Sequence, residues 1–129
     1  MADAERALEA MTNFRLAETA LQRGDMQLAE KLAKEAAEGD PDQAEYVSLY
    51  AWVRAMGASP NQVNDAIETI SRVLEKEPTC ERALLYRGKL NKRANRTKEA
   101  LKDFEALLKV NPKHREAASE VRLLRMHSK

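Results

Sequence analysis

Apolar residues recur along this chain with the period of a helix. Ala66, Ile67, Ile70, Val73 and Leu74 follow one another at steps of three and four, and Ala100, Leu101, Phe104, Leu107 and Leu108 repeat the pattern. Residues so spaced share one face of an α-helix. No window alternates apolar and polar residues over a useful length, so no strand is predicted. The start and stop residues around these faces divide the chain into seven helices, near 4–22, 26–38, 41–56, 60–76, 80–93, 96–110 and 112–127.

The predicted starts rest on capping chemistry. Asp40-Pro41-Asp42-Gln43 offers an N-cap, a proline at the first helical position and a Gln at N3, and Ser59-Pro60-Asn61-Gln62 does the same. Asn111-Pro112 is a third start of this kind. Thr79 is placed to cap the helix after Pro78, and Asp25 and Asn95 to cap the helices after two short turns.

Pro41, Pro78 and Pro112 each follow one apolar helical stretch and precede another, at intervals of 37 and 34 residues. A period near 34 is that of a helical hairpin that cannot bury its own apolar face and must stack on copies of itself. Such stacks present extended surfaces suited to holding another protein.

Composition narrows the class. With 43% hydrophobic and 33% charged residues, the 129-residue chain is too apolar for disorder and too charged for a membrane span. No run approaches the roughly 20 apolar residues a membrane helix needs, and Met1-Ala2-Asp3-Ala4-Glu5 lacks the basic and apolar segments of a signal peptide. The single cysteine, Cys80, excludes an internal disulfide and fits a reducing, cytoplasmic setting. Net charge is +1, but residues 1–64 carry 6 Lys and Arg against 11 Asp and Glu, while residues 65–129 carry 16 against 10. Neither half has the density of a nucleic-acid arm, so no nucleic acid is expected. The asymmetry can orient a partner or favour weak head-to-tail self-association.

Catalytic chemistry finds little support. His114 and His127 have no cysteine or paired carboxylate at metal-ligand spacing, so no metal is expected. Cys80 has no histidine nearby in sequence and reads as a small residue filling a gap between helices. The four glycines are isolated, so there is no phosphate loop and no cofactor is predicted.

From Ala83 to Pro112, Gly88, Ala100, Phe104, Leu107 and Pro112 stand at set intervals. This stretch resembles a tetratricopeptide repeat, which implies that Gly88 is the small residue where two helices cross and Ala100 the small residue facing it. Residues 10–43 fit the same template through Ala17, Gly24-Asp25, Ala29, Ala33, Ala36 and Pro41; residues 44–80 fit through Ala51, Ala66, Ile70, Val73 and Pro78, with three extra residues somewhere in 56–62. The resemblance implies an all-α, right-handed superhelical array in one domain, with repeats near 10–43, 44–80 and 81–114. A capping helix follows at 115–127, with Val121 and Leu124 facing the third repeat and Arg122 facing solvent.

The resemblance also implies a concave groove lined by the first helix of each repeat. Its positions fall on Met11, Phe14, Glu18 and Leu21, then Glu45, Ser48, Leu49, Trp52 and Ala55, then Arg82, Leu85, Lys89, Lys92 and Arg93. Trp52 and Phe14 are the expected anchors, and the basic residues are expected to steer acidic groups. Some members grip a terminal carboxylate with lysine and asparagines. Here Phe14, Glu18 and Leu49 stand where that clamp needs Lys or Asn, and only Arg82 is compatible, which argues against it. The implied function is a non-catalytic adaptor or scaffold docking an apolar protein segment with some acidic residues. A small chaperone for secreted or assembly-prone subunits, and self-association through the array ends, are the alternatives.

Overall fold

The computed structural model describes residues 3–57 and 60–127. Its described residues form seven helices and no strand: α1 (Asp3–Gln22), α2 (Met26–Gly39), α3 (Ala44–Met56), α4 (Pro60–Lys76), α5 (Glu81–Arg93), α6 (Thr97–Val110) and α7 (Arg115–His127). Each packs on the next in chain order, and α3 also meets α5. The chain is thus an all-α array of three hairpins and a last helix.

Two of the turns inside hairpins are built alike. Gly24 (φ 79°) and Asn95 (φ 62°) take the left-handed conformation, which Gly adopts freely and Asn tolerates. Around them Asp25 N–H donates to Ala20 O and Arg96 N–H to Asn91 O, equivalent bonds in the first and third hairpins. Asp25 then caps α2 as predicted, its Oδ1 accepting from Leu28 N–H at 3.2 Å. Asn95 does not cap α6; its conformation makes it the turn residue, and Arg96 stands at the N-cap without a side-chain bond.

The helix starts after Pro41 and Pro112 lie later than predicted. Asp40 and Asn111 are extended (φ −148° and −138°) and close the preceding helices, donating to Ala36 O and Leu107 O. The ring of a following proline disfavours the helical region for the residue before it. Each Asp-Pro or Asn-Pro therefore ends one helix instead of opening the next. Gln43 stands at the N-cap of α3 and Cys80, in place of Thr79, at that of α5, both without a side-chain cap bond. Before α7 the cap is His114, whose Nδ1 accepts from Ala117 N–H at 3.1 Å. Pro60 does open α4; the cap expected from Ser59 lies outside the described residues.

The three extra residues are in α4, which has 17 residues against 14 in α2 and α6. They precede Ala66, the counterpart of Ala29 and Ala100, so α4 gains most of a turn at its start without disturbing the register of its buried face.

The core is continuous but uneven. Ala10, Ala17, Ala29, Ala33 and Ala36 pack the first hairpin, while Leu49, Ile70, Leu90, Phe104 and Leu107 fill the middle and third. Gly88 is buried against the Phe104 ring, which supplies all three nearest atoms to a Cβ built there; Ala100 is buried too, but Phe104 is the close neighbour. Val121 and Leu124 are buried and Arg122 is exposed, as expected for a cap on α6. One polar cluster ties α4, α5 and α6. Asp103 accepts from Arg87 Nε and Nη2 (3.1 and 2.7 Å) and from Asn91 Nδ2 (3.0 Å), while Arg87 Nη1 donates to Ser71 Oγ at 3.2 Å. Large apolar side chains remain exposed on the terminal elements: Leu8 and Leu16 on α1, Leu123 and Met126 on α7.

Candidate functional site: the shared face of the odd-numbered helices

α1, α3, α5 and α7 stand side by side, and their side chains meet along one face. Arg82, in the first turn of α5, is its hub. Its Nη2 donates to Glu18 on α1 at 2.6 Å, its Nε to Glu45 on α3 at 3.2 Å, and its Nη1 to the Tyr86 hydroxyl at 3.0 Å. The guanidinium carbon lies 5.0 Å from the centroid of Phe14, whose ring packs 4.7 Å from that of Tyr46. Such a fork-shaped, aromatic-stacked arrangement suits arginine and not lysine.

Electrostatics follow from this packing. Burial works against the Arg82 cation, but Tyr86, Glu18 and Glu45 together raise its pKa above the ordinary value. Burial raises the Tyr86 phenol, with Arg82 opposing. Burial also raises the Cys80 thiol, and Glu45 and Glu77 add to the shift against backbone bonds that lower it.

Further along the face, Trp52 stacks on Tyr86 with centroids 4.7 Å apart and planes 8° from parallel, and the Lys89 ammonium lies 5.2 Å from the Trp52 centroid. Lys89 then reaches Glu116 (2.8 Å) and Lys92 reaches Glu120 (2.9 Å), both on α7. Arg93 turns instead to Met56 Sδ at 3.2 Å.

The expected groove residues therefore divide. Met11, Phe14, Glu18 and Leu21 are half-buried along α1; Glu45 is exposed; Arg82, Leu85 and Lys89 are half-buried; Lys92 and Arg93 are exposed. Ser48, Leu49, Trp52 and Ala55 are corrected: they are core residues, Trp52 with 7% of its surface accessible and Leu49 with none. The reason is position. α3 is packed by α2, α4 and α5, and it is apolar nearly all round. Lys89 and Lys92 lie on the face, each already paired with a carboxylate of α7. Sequence reasoning missed Tyr46, Tyr86, Glu116 and Glu120. Glu116 and Glu120 lie four residues apart on the fourth helix of the face, and that spacing was the available signal.

A cleft of about 580 Å³ opens at the N-terminal ends of α3, α5 and α7, with Glu45, Cys80, Glu81, Arg82, Tyr86 and His114 in its wall. It brings the thiol and an imidazole into one cavity. The thiol is pushed up, the opposite of what activates a thiolate, and His114 Nδ1 is engaged in capping α7. Among the described residues no group of three or more His, Cys, Asp or Glu could hold a metal, and no helix is long and apolar enough to cross a membrane.

Residues 82–114 match the family model of the tetratricopeptide repeat. Among solved structures, the fold is similar to the first such domain of Spaghetti (RPAP3) bound to an HSP90 peptide, SRMEEVD. The TM-score is 0.79 and the identity 17%, over 94% of each chain. It is similar to the Arabidopsis OM64 domain (TM-score 0.80, 20% identity, 95% of this chain and 98% of that one). It is also similar to the first domain of human RPAP3 (0.81, 18%, 93% and 92%). No curated protein sequence matches the chain.

Proposed function

We propose that this tetratricopeptide-repeat protein is a non-catalytic docking module that holds a segment of another protein along the face shared by α1, α3, α5 and α7. The observation that carries the reading is that α1 and α5 present half-buried apolar side chains on one side. Met11, Phe14, Leu21 and Leu85 stand between ordered charges there. Apolar contacts supply the affinity of such docking and flanking charges its register. Domains of RPAP3 have been solved with an HSP90 peptide and, at 15% identity to this chain, with an HSP70 peptide. Here Arg82 is already held by two carboxylates and Phe14 lies beneath it, so capture of a terminal carboxylate is not proposed for this face.

The test uses two triple variants checked for folding by circular dichroism. One replaces Met11, Leu85 and Arg93 with Ser; the other replaces Lys34, Lys98 and Lys102, which are exposed on the second helices of their hairpins. A partner captured by the wild type should be lost by the first variant and kept by the second. Equal recovery by both would move binding off this face. Exposed Leu8 and Leu16 at one end and Leu123 and Met126 at the other support self-association through the array ends as a second reading. Sedimentation that stays monomeric up to high protein concentration would remove it.

A further inference from the structure

Every cation that α5 turns onto the shared face toward α7 is met by a carboxylate of α7. Lys89 and Lys92 are three residues apart on α5; Glu116 and Glu120 are four apart on α7. The two pairs form at 2.8 and 2.9 Å, in parallel. Glu120 is held close, with only 14% of its side chain accessible. Lys89 is also positioned over Trp52. The basic end of the face is thus already filled, and the filling groups are those an acidic segment would bring.

We infer that Glu116 and Glu120 are specificity-determining residues of the docking face. They act as an internal stand-in for an acidic ligand, so a carboxylate-bearing segment binds only by exchanging with them at Lys89 and Lys92. This inference rests on the docking reading above. Partly exposed ion pairs are weak enough for such exchange and strong enough to lower affinity, each by a factor of up to about 5. Segments without acidic groups do not meet this competition, so the pairs select against acidic partners.

The experiment measures binding of a synthetic hexaglutamate peptide, followed by the fluorescence of Trp52, the single tryptophan and the neighbour of Lys89. The Glu116→Gln, Glu120→Gln variant keeps hydrogen-bonding side chains and helix propensity. It should bind between about 3-fold and about 30-fold tighter than the wild type, and the gain should shrink with added salt. A Glu30→Gln, Glu38→Gln control changes the same charge on α2, where both residues are exposed, and should show little gain. Adding Lys89→Gln and Lys92→Gln to the first variant should abolish the gain. The inference is overturned if the α7 variant gains no more than the α2 control, if the gain survives loss of the lysines, or if no variant binds the peptide. Each of those results leaves partner capture by the Met11, Leu85 and Arg93 face as a separate outcome.

Discussion

Gly88→Ala adds one methyl group where the third hairpin is tightest. The new Cβ would stand 2.6 Å from Phe104 Cε1, 2.8 Å from Cζ and 2.9 Å from Cδ1, against an ordinary contact of 3.4–4 Å. The ring must therefore retreat by roughly 1 Å. Phe104 is fully buried and has nowhere to move without displacing other core atoms. Overpacking of this kind costs about 1–3 kcal/mol, and the rigid ring argues for the upper end. Alanine returns about 1 kcal/mol through helix propensity. The expected net loss is about 2 kcal/mol, or a melting temperature lower by about 8 °C. Urea unfolding followed by circular dichroism reads it directly. The decisive comparison is the same substitution in a Phe104→Leu background, where the obstructing ring is gone. There Gly88→Ala should be neutral or stabilising by up to about 1 kcal/mol. An unchanged or raised stability for Gly88→Ala beside an intact Phe104 would refute the steric argument.

Ser48→Ala should be neutral or stabilising by up to about 1 kcal/mol in the same assay, because Ser48 Oγ is buried with no hydrogen-bond partner among the described residues. Trp52→Ala should cost about 3 kcal/mol or more in stability before any effect on binding, since the ring is core; a normal melt would return it to the surface. Asp103→Ala should cost about 3 kcal/mol, leaving Arg87 and Asn91 without their shared acceptor, and a loss under 1 kcal/mol would show the cluster to be dispensable. The raised Cys80 thiol predicts slower alkylation at mildly alkaline pH in the folded chain than in urea. Because its pKa and that of Tyr86 are raised by folding, their contribution is full below their ordinary values of 9.0 and 10.0 and is lost as pH rises beyond them.

The helices were legible because each buries one apolar stripe, and the period of that stripe survives in the sequence. The turns were legible at Asp25, where a short side chain meets its own helix start. They were misread at Asp40-Pro41 and Asn111-Pro112, because a proline's effect on the preceding residue outweighs its fitness for a helix start. The docking face was legible only in part. Positions taken from α1 and α5 fall on it, but α3 is covered on most sides, so Ser48, Leu49 and Trp52 went inward. The ion pairs of Arg82 with Glu18, and of Lys89 with Glu116, join residues far apart in the chain. The spacing of Glu116 and Glu120 puts both on one side of α7, but no local pattern names the partner of any of these groups.

The Arg82–Glu18 bond bears on how the molecule comes apart. In an array where each unit touches only its neighbours, the ends fray independently, and unfolding runs inward like an opening zipper. Glu18 belongs to the first hairpin and Arg82 to the third, 64 residues later, and the bond passes over α3. Opening the first hairpin therefore strips a half-buried guanidinium of a carboxylate in a unit it does not adjoin in sequence. The bond ties the first hairpin to the third, and the expected consequence is coupled hydrogen-exchange protection in α1 and α5, which Glu18→Gln should lower in both.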